Sequence, residues 1–194
     1  MFLKVAAANS GRILNKAAIA NRTGVSEPTV SRWLSVLEAS GVLFFAPPHF
    51  RNFTKRIVKS PKLYFTDTGL LSFLLGIYDS TQLKAHPLYG EIFETFIVSE
   101  LLKRITHKGK RIGIFYWRDK TGHEIDLVLE HGQTLFPVEI KSASTYNPDF
   151  MKTLRWWMEL PENTTDTGLI IYDGKEIVNR NGAVPCIPWK NMRV

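Results

Sequence analysis

Three residues stand where strand geometry lets them act together: Asp126 in EIDLVLE, and Glu139 and Lys141 in PVEIK. Side chains alternate between the faces of a strand, so Glu139 and Lys141 point one way and Ile140 the other. By the same parity Asp126 lies opposite Ile125, Leu127 and Leu129. Two neighbouring strands would then present an aspartate, a glutamate and a lysine to one spot. Ile125, Leu127, Leu129, Val138 and Ile140 are expected to hold those strands down from the other side. Carboxylates around one point suit a hard cation that takes oxygen ligands, Mg²⁺ or Mn²⁺. Such an ion lowers the pKa of a water and offsets charge on a scissile phosphate. A lysine beside the glutamate would orient the attacking water or steady the charged transition state. The chemistry indicated is metal-assisted phosphodiester hydrolysis.

A further acidic group comes from the helix expected over residues 90–105. At 100° per residue both Glu94 and Glu100 fall inside its apolar stripe, and a carboxylate facing a core is costly unless paired or metal-bound. One of the two is expected to face the cleft. Arg118 and Glu124 flank the Asp126 strand; they read as a surface ion pair of small energetic value rather than as phosphate or metal-water ligands. His123 has no second His or Cys at ligand spacing and reads as a loop histidine. Of Trp156 and Trp157, on a helix beside the sheet, one is expected in the core. Tyr146 is expected to pack as well.

The elements that must position these residues form a helix at 90–105, strands at 112–118, 124–130 and 134–141, a helix near 148–159 and a strand at 168–172. That order describes a small α/β domain. Asp126 and Glu139 are 13 positions apart, a spacing that suits a hairpin between adjacent strands.

The first half is built differently. Asn15 is an expected N-cap for a short helix, Lys16 to Asn21, stopping at Gly24. Ser26 caps the next helix, with Pro28 in its first turn. Val30, Trp33, Leu34 and Leu37 follow the spacing of a buried stripe, and Gly41 ends the helix. Strands at 42–46 and 62–66 follow, with Pro47-Pro48 and a basic loop between them. A short apolar helix and a linker occupy 67–89. Residues 1–85 carry 11 Lys/Arg against 4 Asp/Glu, whereas residues 86–194 carry 14 of each, so the whole +7 excess lies in the first half. A basic half joined to a neutral one points to a polyanion-contacting module beside a second function.

A single cysteine, Cys186, excludes an internal disulfide and a cysteine-based zinc cluster. No apolar run approaches the roughly 20 residues of a membrane-spanning helix, and Met1-Phe2-Leu3-Lys4 lacks a signal-peptide layout. A cytoplasmic protein is the expectation.

The segment AIANRTGVSEPTVSRWLSVLEASGVL resembles winged helix-turn-helix domains over about residues 1–66. In that light Thr29 and Arg32, off the buried stripe, would enter a major groove, and Arg51, Lys55, Arg56 and Lys59 in the wing region would pair with phosphates. Helix Glu, strand Asp and strand Glu-x-Lys resemble the PD-(D/E)XK nuclease superfamily at Glu94, Asp126, Glu139 and Lys141. The resemblance implies a metal held by Asp126, Glu139 and the Ile140 carbonyl, with Lys141 acting on the water. More specifically, KLYFTDTGLL, GEIFETFIVSELL, FYWRDKTGHEIDLVLE and PVEIKSA resemble the C-terminal part of a prokaryotic AAA-type ATPase family, in which a winged helix and a nuclease-like domain follow a P-loop ATPase. No G-x-x-x-x-G-K-[ST] loop occurs in these residues, so ATP binding is not expected of them.

The expected architecture is therefore α+β or α/β: a winged helix-turn-helix domain with linker over 1–85 and a PD-(D/E)XK nuclease-like domain over 86–194. The expected activity is Mg²⁺-dependent DNA hydrolysis. The alternatives are a catalytically silent DNA-binding and assembly module that works with an ATPase domain or subunit, and a winged-helix transcriptional regulator.

Overall fold

The computed structural model describes residues 1–50, 58–161, 163–179 and 184–192. The chain is a mixed α/β protein, as expected, and divides into two compact units: Met1–Ala46 with Ser60–Ser99, and Pro47–Lys59 with Glu100–Val194.

The first unit runs α1 (Phe2–Ala7), β1 (Arg12–Ile13), α2 (Lys16–Thr23), α3 (Glu27–Ala39), β2 (Leu43–Ala46), β3 (Lys62–Phe65), α4 (Thr68–Leu74) and α5 (Ser80–Ala85). Its sheet is antiparallel in the order β1-β3-β2. The helix boundaries follow local chemistry. Asn15 accepts the Ala18 N–H, and Gly24 ends α2 in the left-handed conformation at φ 70°. Ser26 accepts the Thr29 N–H at the start of α3. Asp79 caps α5, a helix in the stretch read from the sequence as linker. Val30 and Leu34 of α3 are buried with Ile19, Leu43, Leu63 and Phe65. Trp33, expected in that stripe, is instead 38% exposed and sits edge-on to Phe2 at 4.9 Å. The apolar contact of α3 is narrower than the sequence pattern, so Trp33 lies at its rim.

Helix α6 (Tyr89–His107) contains the division between the units. In the second unit β4 (Gly113–Arg118), β5 (Glu124–His131), β6 (Thr134–Lys141), β7 (Leu169–Tyr172) and β8 (Cys186–Pro188) form one sheet in chain order. Pairing is antiparallel from β4 to β6 and parallel from β6 to β8. A 3₁₀ turn, Pro148–Met151, leads into α7 (Lys152–Met158), where the sequence suggested one continuous helix. Leu154 and Trp157 of α7 pack with Trp117, Val128 and Ile170. Trp157 is therefore the core tryptophan, and Trp156 is half-buried beside it.

The basic loop after β2 begins as part of this second sheet. Pro48 bridges Tyr116 in parallel, the His49 N–H donates to the Tyr116 carbonyl at 2.7 Å, and the Val58 N–H donates to the Arg118 carbonyl at 3.1 Å. These contacts occupy the edge of β4 at Tyr116 and Arg118, which blunts it as a template for pairing with another chain.

Candidate metal centre on strands β5 and β6

The β5–β6 ladder ends at the pair Leu127↔Val138. One step further along two antiparallel strands, Asp126 comes beside Glu139, and the ladder gives way to a side-chain contact. Asp126 Oδ2 accepts the backbone N–H of Ile140 at 2.8 Å. On the other side of β5, pairing with β4 shifts between Phe115 (opposite Val128) and Trp117 (opposite Ile125). Asp126 and Leu127 therefore lie across from Tyr116 alone, a β-bulge of the kind that re-aims a side chain. The bulge also corrects one expectation. Ile125 does not share the role of Leu127 and Val138 but packs with Trp117, Val128 and Trp157.

Lys141 closes the group. Its Nζ donates to Glu139 Oε2 and lies 3.7 Å from Asp126 Oδ2. One ammonium thus touches both carboxylates and brings the three side chains together. Glu139 is 1% exposed, and its Oε1 has no hydrogen-bond partner among the described residues. Burial and the neighbouring negative charge of Asp126 hold its carboxyl well above the usual glutamate range, with Lys141 opposing them. Asp126 and Lys141 retain part of their surface, 15% and 31% of the side chain, so the group opens outward past these two. The opposite face of the sheet is apolar: Leu101, Leu129, Val138 and Met192 are among the residues lining a cavity there with no titratable side chain.

Glu94 has partners of its own. Its Oε1 accepts hydrogen bonds from Lys62 Nζ at 2.8 Å and Tyr64 Oη at 2.6 Å. Lys62 and Tyr64 are 2% and 0% exposed, and Tyr64 stacks on Phe44, its cross-strand neighbour. Parity in KLYF carried the signal for this cluster: Leu63 and Phe65 enter the core, which sends Lys62 and Tyr64 to the other face. Glu100 pairs with Lys103 one turn on. No group of three or more His, Cys, Asp or Glu ligands occurs among the described residues. Arg118 and Glu124 pair with each other at 2.7 Å, as expected.

At the β4–β5 turn, Asp119 organises the loop, a role sequence reasoning missed. Its carboxylate accepts the N–H groups of Thr121 and His123, the Thr121 hydroxyl, and a contact from His123 Nδ1 at 3.3 Å. Burial works against its ionisation, but the hydrogen bonds from Thr121 and His123 outweigh it and hold the carboxyl below the usual aspartate range. The signal was present as Asp-x-Thr-x-His in a short hairpin.

Of the residues expected to touch DNA, Arg32 is exposed and Thr29 is half-buried, its hydroxyl shared with Ser26 at 2.9 Å. Lys59 is exposed and belongs to the second unit. Arg51, Lys55 and Arg56 lie outside the described residues.

Residues 89–192 match a family described as "Domain of unknown function (DUF4143)". The chain belongs to the DUF4143 family. DUF4143 is a domain found in the C-terminal region of AAA-ATPase-like proteins. Residues 1–81 match a second description, "Domain of unknown function (DUF8612)". Asp126, Glu139 and Lys141 all lie within the DUF4143 match. Two uncharacterized proteins, one of Mycobacterium bovis and one of Mycobacterium tuberculosis, are each 33% identical to the chain over 145 residues, covering 75% of it. The chain corresponds to 32% of the length of each relative. No solved structure matches.

Proposed function

We propose that the second unit is a PD-(D/E)XK-type, divalent-cation-dependent phosphodiester hydrolase and that the first unit is a winged helix that holds DNA for it. The observation that carries this reading is the convergence of Asp126, Glu139 and Lys141 on one spot beside a bulge. The order α6-β4-β5-β6-α7-β7, with β6 and β7 parallel, supports the nuclease-like fold. The order α1-β1-α2-α3-β2-β3, with Ser26 capping α3, supports the winged helix.

The donor set fits a hard cation. Asp126, Glu139 and the Ile140 carbonyl would hold Mg²⁺ or Mn²⁺, and Glu139 Oε1 is a buried oxygen with no hydrogen-bond partner among the described residues. A bound ion of this type lowers the pKa of a water and offsets phosphate charge. The chain's own contribution is positional. The Ile140 N–H fixes the Asp126 carboxylate, burial fixes Glu139, and Lys141 presents an ammonium at the open side, where charge on a phosphate would develop. Arg32 would enter a major groove, and Lys59 would contact DNA backbone with sequence-tolerant, salt-sensitive affinity.

The test is incubation of supercoiled, linear and single-stranded DNA with the protein and Mg²⁺ or Mn²⁺. Nicking that disappears in Lys141→Ala, with the fold intact, is expected. No cleavage of any form would count decisively against hydrolysis.

One observation favours a second reading, a catalytically silent DNA-binding and assembly module. Lys141 already contacts both carboxylates, so a cation is present without a metal. Calorimetric titration with Mn²⁺ separates the two, because a micromolar site lost in Asp126→Asn belongs only to the first. Under either reading the partner is an ATPase domain, in the same chain or another, in keeping with the family's place in AAA-ATPase-like proteins. A cytoplasmic setting is part of the proposal; among the described residues no helix is long and apolar enough to cross a membrane.

A further inference from the structure

The β4–β5 turn carries a surface aromatic pair that the catalytic reading does not use. The His123 ring stacks on Trp156 with centroids 3.8 Å apart and planes 14° from parallel. Exposed histidines ordinarily sample several rotamers, but this one is held from three sides. Thr121 Oγ1 lies 2.9 Å from Nδ1, Asp119 Oδ2 lies 3.3 Å from the same nitrogen, and Trp156 covers one ring face. The Arg118–Glu124 pair forms the rung beneath the turn. Trp156 is itself backed by the buried Trp117 at 5.8 Å. The His123 side chain is nonetheless 44% exposed, so part of the ring beyond its contact with Trp156 is open. Lys120 is exposed at the same turn, and Lys152, one helical turn before Trp156, is exposed on α7.

A flat ring held in one orientation, partly open, with exposed lysines on its own turn and on α7, is what a base-stacking platform requires. Stacking is sequence-tolerant because every base has a π-face, and nearby lysines meet the backbone phosphates. Fixing the ring beforehand removes the entropy cost of ordering it on binding. A base inside an intact duplex is already stacked on both faces, so the platform fits a base that has left its partner.

We propose that the His123–Trp156 stack receives an unpaired DNA base, so that this protein takes DNA with a single-stranded segment, a frayed end or a flap rather than intact duplex alone. The proposal rests on the DNA-contacting part of the reading above and is independent of cleavage.

The experiment measures binding of the full chain to a fluorescent oligothymidine and to a blunt duplex by anisotropy, in EDTA so that nothing is cut. His123→Ala should weaken single-strand binding about tenfold, in line with the loss of one base–aromatic stack. His123→Phe, which keeps a flat ring, should stay within about threefold of wild type. Blunt-duplex affinity should be unchanged in both. If His123→Ala disturbs the turn, seen as a lowered melting temperature, His123→Gln replaces it, keeping a polar group toward Asp119 while removing the ring, with the same tenfold loss expected. Single-strand affinity that is unchanged in a folded His123→Ala or His123→Gln protein overturns the platform and leaves duplex binding standing. Wild type that binds neither DNA removes both the platform and the DNA reading.

Discussion

Replacing Asp126 by alanine is the obvious test of the metal centre, and the structure says it changes two things at once. The carboxylate accepts the Ile140 N–H at 2.8 Å, and Ile140 is only 7% exposed. Alanine therefore leaves a buried donor without its acceptor, which costs about 1–3 kcal/mol. Asparagine keeps an oxygen in the same place and removes only the charge. Both substitutions take a negative neighbour away from Glu139, so that effect cancels when the two are compared. Urea unfolding at pH 7 without divalent ions should place Asp126→Asn near wild type and Asp126→Ala about 1–3 kcal/mol below Asp126→Asn. Titration calorimetry should show Mn²⁺ binding lost in both. If the two variants are equally stable, the acceptor role of Asp126 is wrong. If Asp126→Asn binds Mn²⁺ as wild type does, Asp126 is not a ligand and the metal centre fails with it.

In Glu139→Gln the pH dependence of stability should change in a defined direction. The folded carboxyl of Glu139 titrates above its unfolded value because of burial and Asp126, so its contribution is fully present below the unfolded pKa and is lost as pH rises through the folded one. Wild type should therefore lose stability relative to Glu139→Gln as pH rises above the usual glutamate range in EDTA, and a difference independent of pH would contradict the assignment. Lys62→Met removes the cation from a largely buried pair while Glu94 keeps Tyr64, so thermal melts should show a loss of roughly 2–4 kcal/mol. A loss below about 1 kcal/mol would mean that this cluster does not hold β3. Burial pushes the Cys186 thiol up to about 11, so a thiol-specific disulfide reagent at pH 8 should react only after urea unfolds the second unit. Rapid labelling of the native protein would show that β8 opens.

Strand parity determined the heart of the candidate site from sequence alone. An alternation that repeats every two residues puts Glu139 and Lys141 on one face of PVEIK whatever surrounds them, and Asn15, Ser26, Pro28 and Gly24 mark helix ends through chemistry confined to three or four residues. The tertiary structure decided what depends on distant segments. The bulge opposite Tyr116 re-aims Asp126 and turns Ile125 toward Trp157, because it arises from pairing between two strands and leaves no periodic trace in either. Glu94 was legible as a carboxylate on an apolar stripe, but its partners Lys62 and Tyr64 stand about 30 residues away, and only folding brings them within hydrogen-bond reach. The stack of His123 on Trp156 likewise joins a turn to a helix across the sheet's sequence span. Local periodicity is written in neighbouring residues, whereas the meeting of side chains far apart in the chain is set by packing.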